Sequence, residues 1–187
     1  RQMCIRDSYQ INPVQTEVLY GKAMEFAELT GKETVIDAYC GIGTIGLSAS
    51  DKAKQVIGVE INRDAVNDAI ANARLNGVKN CWFTVGDAGK YMEQMAADKV
   101  KPDIVFMDPP RAGSDERFLS SLLKCAPKRI VYISCKPTSL ARDLPAFLAA
   151  GYEVQRSCSV DQFCETVHVE TVVLLSKGEI DSKKVRV

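Results

Sequence analysis

Apolar and polar positions along the chain switch between two periods, and the switching lays out an alternating order of elements. Short β-prone apolar runs alternate with stretches that carry an apolar face at helical spacing. Asn12-Pro13-Val14-Gln15 reads as an N-cap, a proline at the first helical position and a capping-box glutamine. A helix is therefore expected from Pro13 to about Leu29, stopped by Gly31. Strands are expected at 34–37, 55–60, 81–85, 103–107 and 129–134. Between them fall a short helix after the glycine-rich turn Cys40-Gly41-Ile42-Gly43-Thr44 and a helix capped by Asn62 and stopped by Gly77. In the latter, Ala65, Val66, Ala69, Ile70 and Ala73 share one face. Further helices are expected at 87–97, at 116–125 and after Pro137, where Pro145 should cause a break or restart. Two last strands, 152–159 and 169–176, are close in sequence and predict an antiparallel hairpin at one sheet edge. The expected class is α/β: a seven-stranded, mostly parallel sheet with an antiparallel last strand and helices on both faces.

Composition narrows the picture. The 187 residues suit one domain with a real core. The sequence divides into an unmatched leader or junction at 1–8, a domain at 9–177 and a charged tail at 178–187. Lys+Arg and Asp+Glu both number 24, so a surface that grips nucleic acid would have to be local or lie outside this segment. Seven cysteines without a Cys-x-x-Cys pair, and the single histidine His168, argue against a zinc site or a disulfide framework. Scattered reduced thiols fit the cytosol. No apolar run approaches the length of a membrane span, and 1–8 has no apolar core of the kind a signal peptide needs.

The chemistry sits where strands end. Cys135 follows the buried-type run Ile130 to Ser134, and Pro137 can open the next helix. A thiol there lies at the ligand-binding edge of an open sheet and near a helix end that favours thiolate. The bland alternative is a small buried hydrophobe. Asp37 precedes a turn containing Gly41, Gly43 and Gly46, whose spacing also matches a dinucleotide fingerprint, so a nicotinamide cofactor has to be weighed. Glu60 ends the second strand, about 20 residues past the first glycine, where an acid accepts hydrogen bonds from ribose hydroxyls. Asp87 follows the third strand, placed to reach an adenine. Each acid alone could equally be a helix cap; three at consecutive strand ends favour an adenosyl cofactor. Asp108-Pro109-Pro110-Arg111 is a stiff loop holding Asp108 at the same edge. Alternation puts His168 and Glu170 on one face of the last strand, where Glu170 is either an edge charge or a base aimed at Cys135.

Taken together, Gln10-Ile11-Asn12-Pro13, Asp37 to Thr44, Asp108 to Arg111, Ser134-Cys135 with Pro137 and Leu140 to Asp143, and His168 to Thr171 resemble the RNA (uracil-5-)-methyltransferases. The likeness runs from about Tyr9 to Lys177. It implies a Rossmann-like class I fold dependent on S-adenosylmethionine (SAM), with RNA as substrate, large-subunit ribosomal RNA favoured over transfer RNA. It implies that Cys135 attacks uracil C6 and that Glu170 removes the C5 proton. Gln10 and Asp108 would stand at the cofactor and target base, and Tyr39, Thr44, Glu60 and Asp87 would line the SAM site with Asp37 and Gly41. It further implies a catalytic domain cut from a longer enzyme that carries an RNA-binding barrel and a central domain. Lys136 stands where the family has asparagine, and its charge should favour the Cys135 thiolate. Two other readings stay open: an RNA cytosine-5 methyltransferase, although Arg111 occupies the place of that family's second cysteine, and a fragment that binds SAM without turnover.

Overall fold

The central strands are apolar on both faces, and such strands must be covered by helices on both sides. The computed structural model, which describes residues 12–162 and 169–178, has this arrangement. Strands β1 (Thr34–Ala38), β2 (Gln55–Glu60), β3 (Cys81–Val85), β4 (Ile104–Met107), β5 (Arg129–Ser134), β6 (Glu153–Val160) and β7 (Glu170–Ser176) form one sheet in the order β3-β2-β1-β4-β5-β7-β6. β7 runs antiparallel to both its neighbours, and the other pairings are parallel. The helices are α1 (Pro13–Ala27), α2 (Thr44–Ala49), α3 (Arg63–Leu75), α4 (Ala88–Ala97), α5 (Glu116–Cys125) and α6 (Pro137–Ala149).

Strand alternation splits the core in two. Val105, Met107 and Tyr132 pack with Met92, Phe118 and Phe147 of α4, α5 and α6. Ile104, Phe106 and Val131 pack with Leu19, Phe26 and Ile45 of α1 and α2 on the other face. From β1 the chain order runs outward to β3 on one side and through β4 to β6 on the other. The carboxyl ends of β1 and β4 therefore flank a topological switch point, where a crevice opens in folds of this kind.

Two expectations change. α6 is continuous through Pro145 rather than broken there. A proline inside a helix costs about 3 kcal/mol, but α6 is anchored on both sides of it, by buried Leu140 and Asp143 before and buried Phe147 after. α1 stops at Ala27, and Glu28 turns left-handed with φ 48°. Its carboxylate meets Arg156 at 3.1 Å and Arg129 at 3.6 Å, partners that no local pattern announces.

Candidate active site

The glycine turn after β1 is built by close approach. The Cys40 amide donates to the Val59 carbonyl at 3.0 Å, and the Gly43 amide to the Cys40 carbonyl at 2.8 Å. Gly43 has φ 83°, and a Cβ there would sit 2.9 Å from the Phe83 ring. Glycine alone satisfies both demands. Tyr39 also takes a positive φ, 63°, unusual for a bulky residue. This turns its ring off the strand and onto Phe118, with centroids 5.1 Å apart.

Beside the turn lies a cavity of about 580 Å³. Tyr39, Gly41, Thr44, Glu60, Asp87 and Asp108 line it, so six of the sequence-proposed residues meet there. Glu60 does more than face the cavity. Its carboxylate accepts from the Gly41 amide at 3.1 Å and from the Asn62 amide at 2.8 Å, clamping the glycine turn to the start of α3. Asp87 is the N-cap of α4, accepting from the Lys90 amide at 2.9 Å while bordering the cavity. The cap weighed for it in the sequence is formed, and the same residue borders the cavity.

Asp37 lies elsewhere. It is 0% exposed, beneath the turn and not among the residues that line the cavity. One oxygen accepts from the Gly46 amide at 2.7 Å, and the other has no partner. Its place is under the glycine turn, which it holds through Gly46. Burial raises its pKa to about 7, with the Glu60 charge acting in the same direction. An acid whose folded pKa exceeds its unfolded value stabilises the fold at low pH and loses that contribution as pH rises through the folded value. The melting temperature should therefore fall from about pH 5 to about pH 7, between the ordinary carboxyl value and the folded one, and Asp37→Asn, which cannot ionise, should reduce that slope and leave the part that Asp108, also raised, contributes; a slope unchanged in the variant would exonerate Asp37. Glu33 and Asp103 have depressed pKa values, so their opposite contribution is complete below this window.

Tyr20 and Ile61 were not among the sequence candidates. Tyr20 reaches the cavity from α1, and Ile61, 70% exposed, stands at its rim after Glu60. An exposed isoleucine directly after a strand-ending acid was the available signal for Ile61.

Asp108 joins the cavity to a second group. It lines the cavity, and its carboxyl is pushed up to about 8 by burial first and then by the charges of Glu170 and Asp37. Glu170, 4% exposed at the start of β7, is pushed up by burial and drawn back by Arg111. The Cys135 thiol is half-buried, and burial pushes it up, with Glu170 and Asp108 adding to the effect. The cation that opposes this is Arg111, whose charge draws the thiol back down. The expected thiolate-stabilising role of Lys136 is not met: Lys136 is an exposed N-cap residue and is not among the charges acting on Cys135. Tertiary structure thus brings Cys135, Asp108, Glu170 and Arg111 together from three different strand ends. Gln10 and His168 lie outside the described residues.

These features, a strand-end cysteine with carboxyl groups acting on it beside a cavity of about 580 Å³, have a family counterpart. The family model for the tRNA (uracil-5-)-methyltransferases matches residues 7–178. The chain belongs to that family. An uncharacterised RNA methyltransferase of Enterococcus faecalis is 47% identical over 177 residues, covering 95% of this chain and 39% of its own length. One from Halalkalibacterium halodurans is 53% identical over 170 residues, covering 91% and 37%. Among solved structures, the tRNA (uracil-54, C5)-methyltransferase of Pyrococcus abyssi, in complex with S-adenosyl-L-homocysteine, superposes with a TM-score of 0.77 at 33% identity. It covers 89% of this chain and 39% of that one. The chain therefore spans less than two-fifths of the length of each of these relatives.

Proposed function

We propose that this chain is the catalytic domain of a longer SAM-dependent enzyme that methylates C5 of a uridine in RNA. The observation that carries the reading is the meeting of Cys135, Asp108, Arg111 and Glu170 beside the cavity lined by Glu60 and Asp87. The cavity fits SAM: a strand-end carboxylate for the ribose, a glycine turn allowing close backbone approach, and an apolar rim residue at Ile61. Its volume lies within the range of small-molecule sites. Bound there, SAM supplies an electrophilic methyl group.

The chain's own residues account for the rest of the chemistry. Uracil C5 is a weak nucleophile. Addition of the Cys135 thiolate at C6 forms a carbon–sulfur bond and moves the ring's electron pair onto C5 and the carbonyl, so that C5 becomes enolate-like and takes the methyl. Glu170 then accepts the C5 proton, the C5–C6 double bond re-forms and the thiolate leaves. A covalent nucleophile and a general base form the minimum set, the base contributing about 10²–10⁴ in rate. Burial lifts the Glu170 pKa and strengthens it as a base.

The lean toward ribosomal RNA rests on sequence likeness alone, and the solved relative is named for a tRNA uridine. Both RNAs therefore belong in the test. Full-length enzyme with labelled SAM should place label at C5 of a uridine in unmodified ribosomal or transfer RNA. Label on cytosine C5 would point to the cytosine enzymes instead. Glu60→Ala should weaken SAM binding in calorimetry by about 1–3 kcal/mol, the cost of a lost charge-assisted hydrogen bond. Equal affinity would remove Glu60 from the cofactor site and leave it only its clamp on Gly41 and Asn62.

A further inference from the structure

Near the amino ends of β5 and β6, cations are matched by acids. Lys128 meets Asp103 at 3.0 Å, Arg129 meets Glu28 at 3.6 Å, and Arg156 meets Glu28 at 3.1 Å. The opposite edge, where Cys135 follows β5, differs. Lys136 is the N-cap residue of α6, but its side chain makes no capping bond. Among the described residues its ammonium has no ion-pair partner. The 111–114 loop lies along α6 and forms a seam with it. Ser139 joins the two, its amide donating to the Lys136 carbonyl at 3.1 Å and its hydroxyl to the Arg111 carbonyl at 2.7 Å. Further along, Arg142 donates to the Ser114 carbonyl at 3.2 Å, in the space that Gly113 leaves by having no side chain. Arg142 is also bound to buried Asp143 at 2.7 Å, yet its side chain is 56% exposed. Lys136 and Arg142 thus mark the two ends of one seam, roughly 9 Å apart along the helix axis by the helical rise. The exposed positions of the seam, at 110–112, 136–138, 141 and 142, include Arg111, Lys136 and Arg142 and no acid. The acids Asp115 and Glu116 come after Ser114, at the start of α5.

We propose that Lys136 and Arg142 grip phosphates of the RNA strand beside the nucleotide being methylated. The assignment rests on the reading of Cys135 as the nucleophile, since Lys136 is the next residue. The chain carries 24 cations and 24 acids, so whole-molecule attraction does not hold RNA and the grip has to be local. Lys136 has no described acid to leave before a phosphate binds. Arg142 is already oriented by Asp143 and Ser114, so little further side-chain freedom is lost when it meets an anion. Cations spread along an open seam suit a strand of repeated charges better than a single small anion.

No methyl transfer is needed for the test. Binding of a fluorescein-labelled single-stranded oligouridylate to this chain is followed by anisotropy over a series of salt concentrations. Each phosphate contact contributes about 0.7 to the slope of log K against log salt for single strands. Lys136→Ala and Arg142→Ala should each reduce the slope by about that amount, with binding weakened several-fold at low salt. Lys136→Arg should keep the slope, and Lys128→Ala, at the opposite edge, should leave it unchanged. The bonds of Lys136 to described residues all run through its backbone, so Lys136→Ala should melt where the wild type does. It decides the matter if Arg142→Ala does not fold. A Lys136→Ala slope equal to that of the wild type would overturn the proposal, as would a wild-type chain that does not bind the oligouridylate at low salt. A slope that drops in the variants for polyglutamate but not for the RNA would give the seam to an acidic protein and overturn it too. The uridine reading fails separately: label from SAM appearing on cytosine, or on no RNA, in the full-length enzyme would leave the salt slopes as they are.

Discussion

RNA carrying 5-fluorouridine is expected to end as a covalent adduct on Cys135 of the full-length enzyme, and Cys135→Ser is expected to abolish that adduct. Fluorine at C5 cannot leave as a proton, so after addition and methyl transfer the thiolate has no route of departure. Of the cysteines described, Cys40 and Cys125 are buried in the core, and burial pushes their thiols up, which disfavours the reactive form. Among the described cysteines, Cys135 is the one on which the Arg111 cation and the carboxyl groups of Asp108 and Glu170 act together. Its thiol also sits above the ordinary value, because burial and the charges of Glu170 and Asp108 outweigh Arg111. The rate of adduct formation should therefore climb with pH through the neutral range, as the thiolate fraction grows. A peptide map that places the adduct on Cys40 or Cys164 would overturn the assignment, as would a rate that falls over the same pH range.

Glu170→Gln should fail in a different way and leave a trapped species on ordinary RNA. The amide keeps the shape of the side chain and removes its basicity. Attack by Cys135 and methyl transfer remain possible, but the C5 proton stays and the adduct cannot collapse. The full-length variant should accumulate a protein–RNA species that survives denaturing electrophoresis and carries the labelled methyl, with turnover reduced by about 10²–10⁴. Glu170 is well placed for this. It opens β7, is buried, and shares its surroundings with Cys135, Asp108 and Arg111. Near wild-type turnover without the trapped species would assign the proton to another group, and Glu165 is the next to substitute.

Much of this was legible in the chain. The Asn12 and Asn62 caps were read correctly from the local order of residues, since a short oxygen-bearing side chain before an apolar-periodic stretch satisfies free amides whatever the rest of the fold does. The strands at 55–60, 81–85 and 129–134 agree residue for residue, because runs of five or six residues rich in β-branched and aromatic side chains between turn residues are too short for a helix. The cavity residues Glu60, Asp87 and Asp108 were found for a related reason: in an alternating α/β chain every strand end on one side faces the same edge.

What escaped the sequence depends on distant partners. Asp37 looks like a ligand by position, but whether a strand-end acid points into a cleft or beneath a turn is decided by the path of the turn itself, here by the Gly46 amide. Pro145 looked like a helix break because local rules count only the lost hydrogen bond and not the core on either side. Lys136 adjoins Cys135 in the chain and appeared to be its cation, whereas Arg111, which arrives from another strand end, is the cation that lowers its thiol. Buried Asp143 has no local signature either, for its donors are the Tyr132 hydroxyl of β5, the Ser114 amide ahead of α5 and its neighbour Arg142. The sequence by itself determined the fold class, the caps and the residues at the strand ends, because periodicity and chain-local hydrogen bonding are properties of neighbouring residues. Only the tertiary structure decided which charges face the thiol, since Coulomb energy depends on distance through space and segments remote in the chain set that distance.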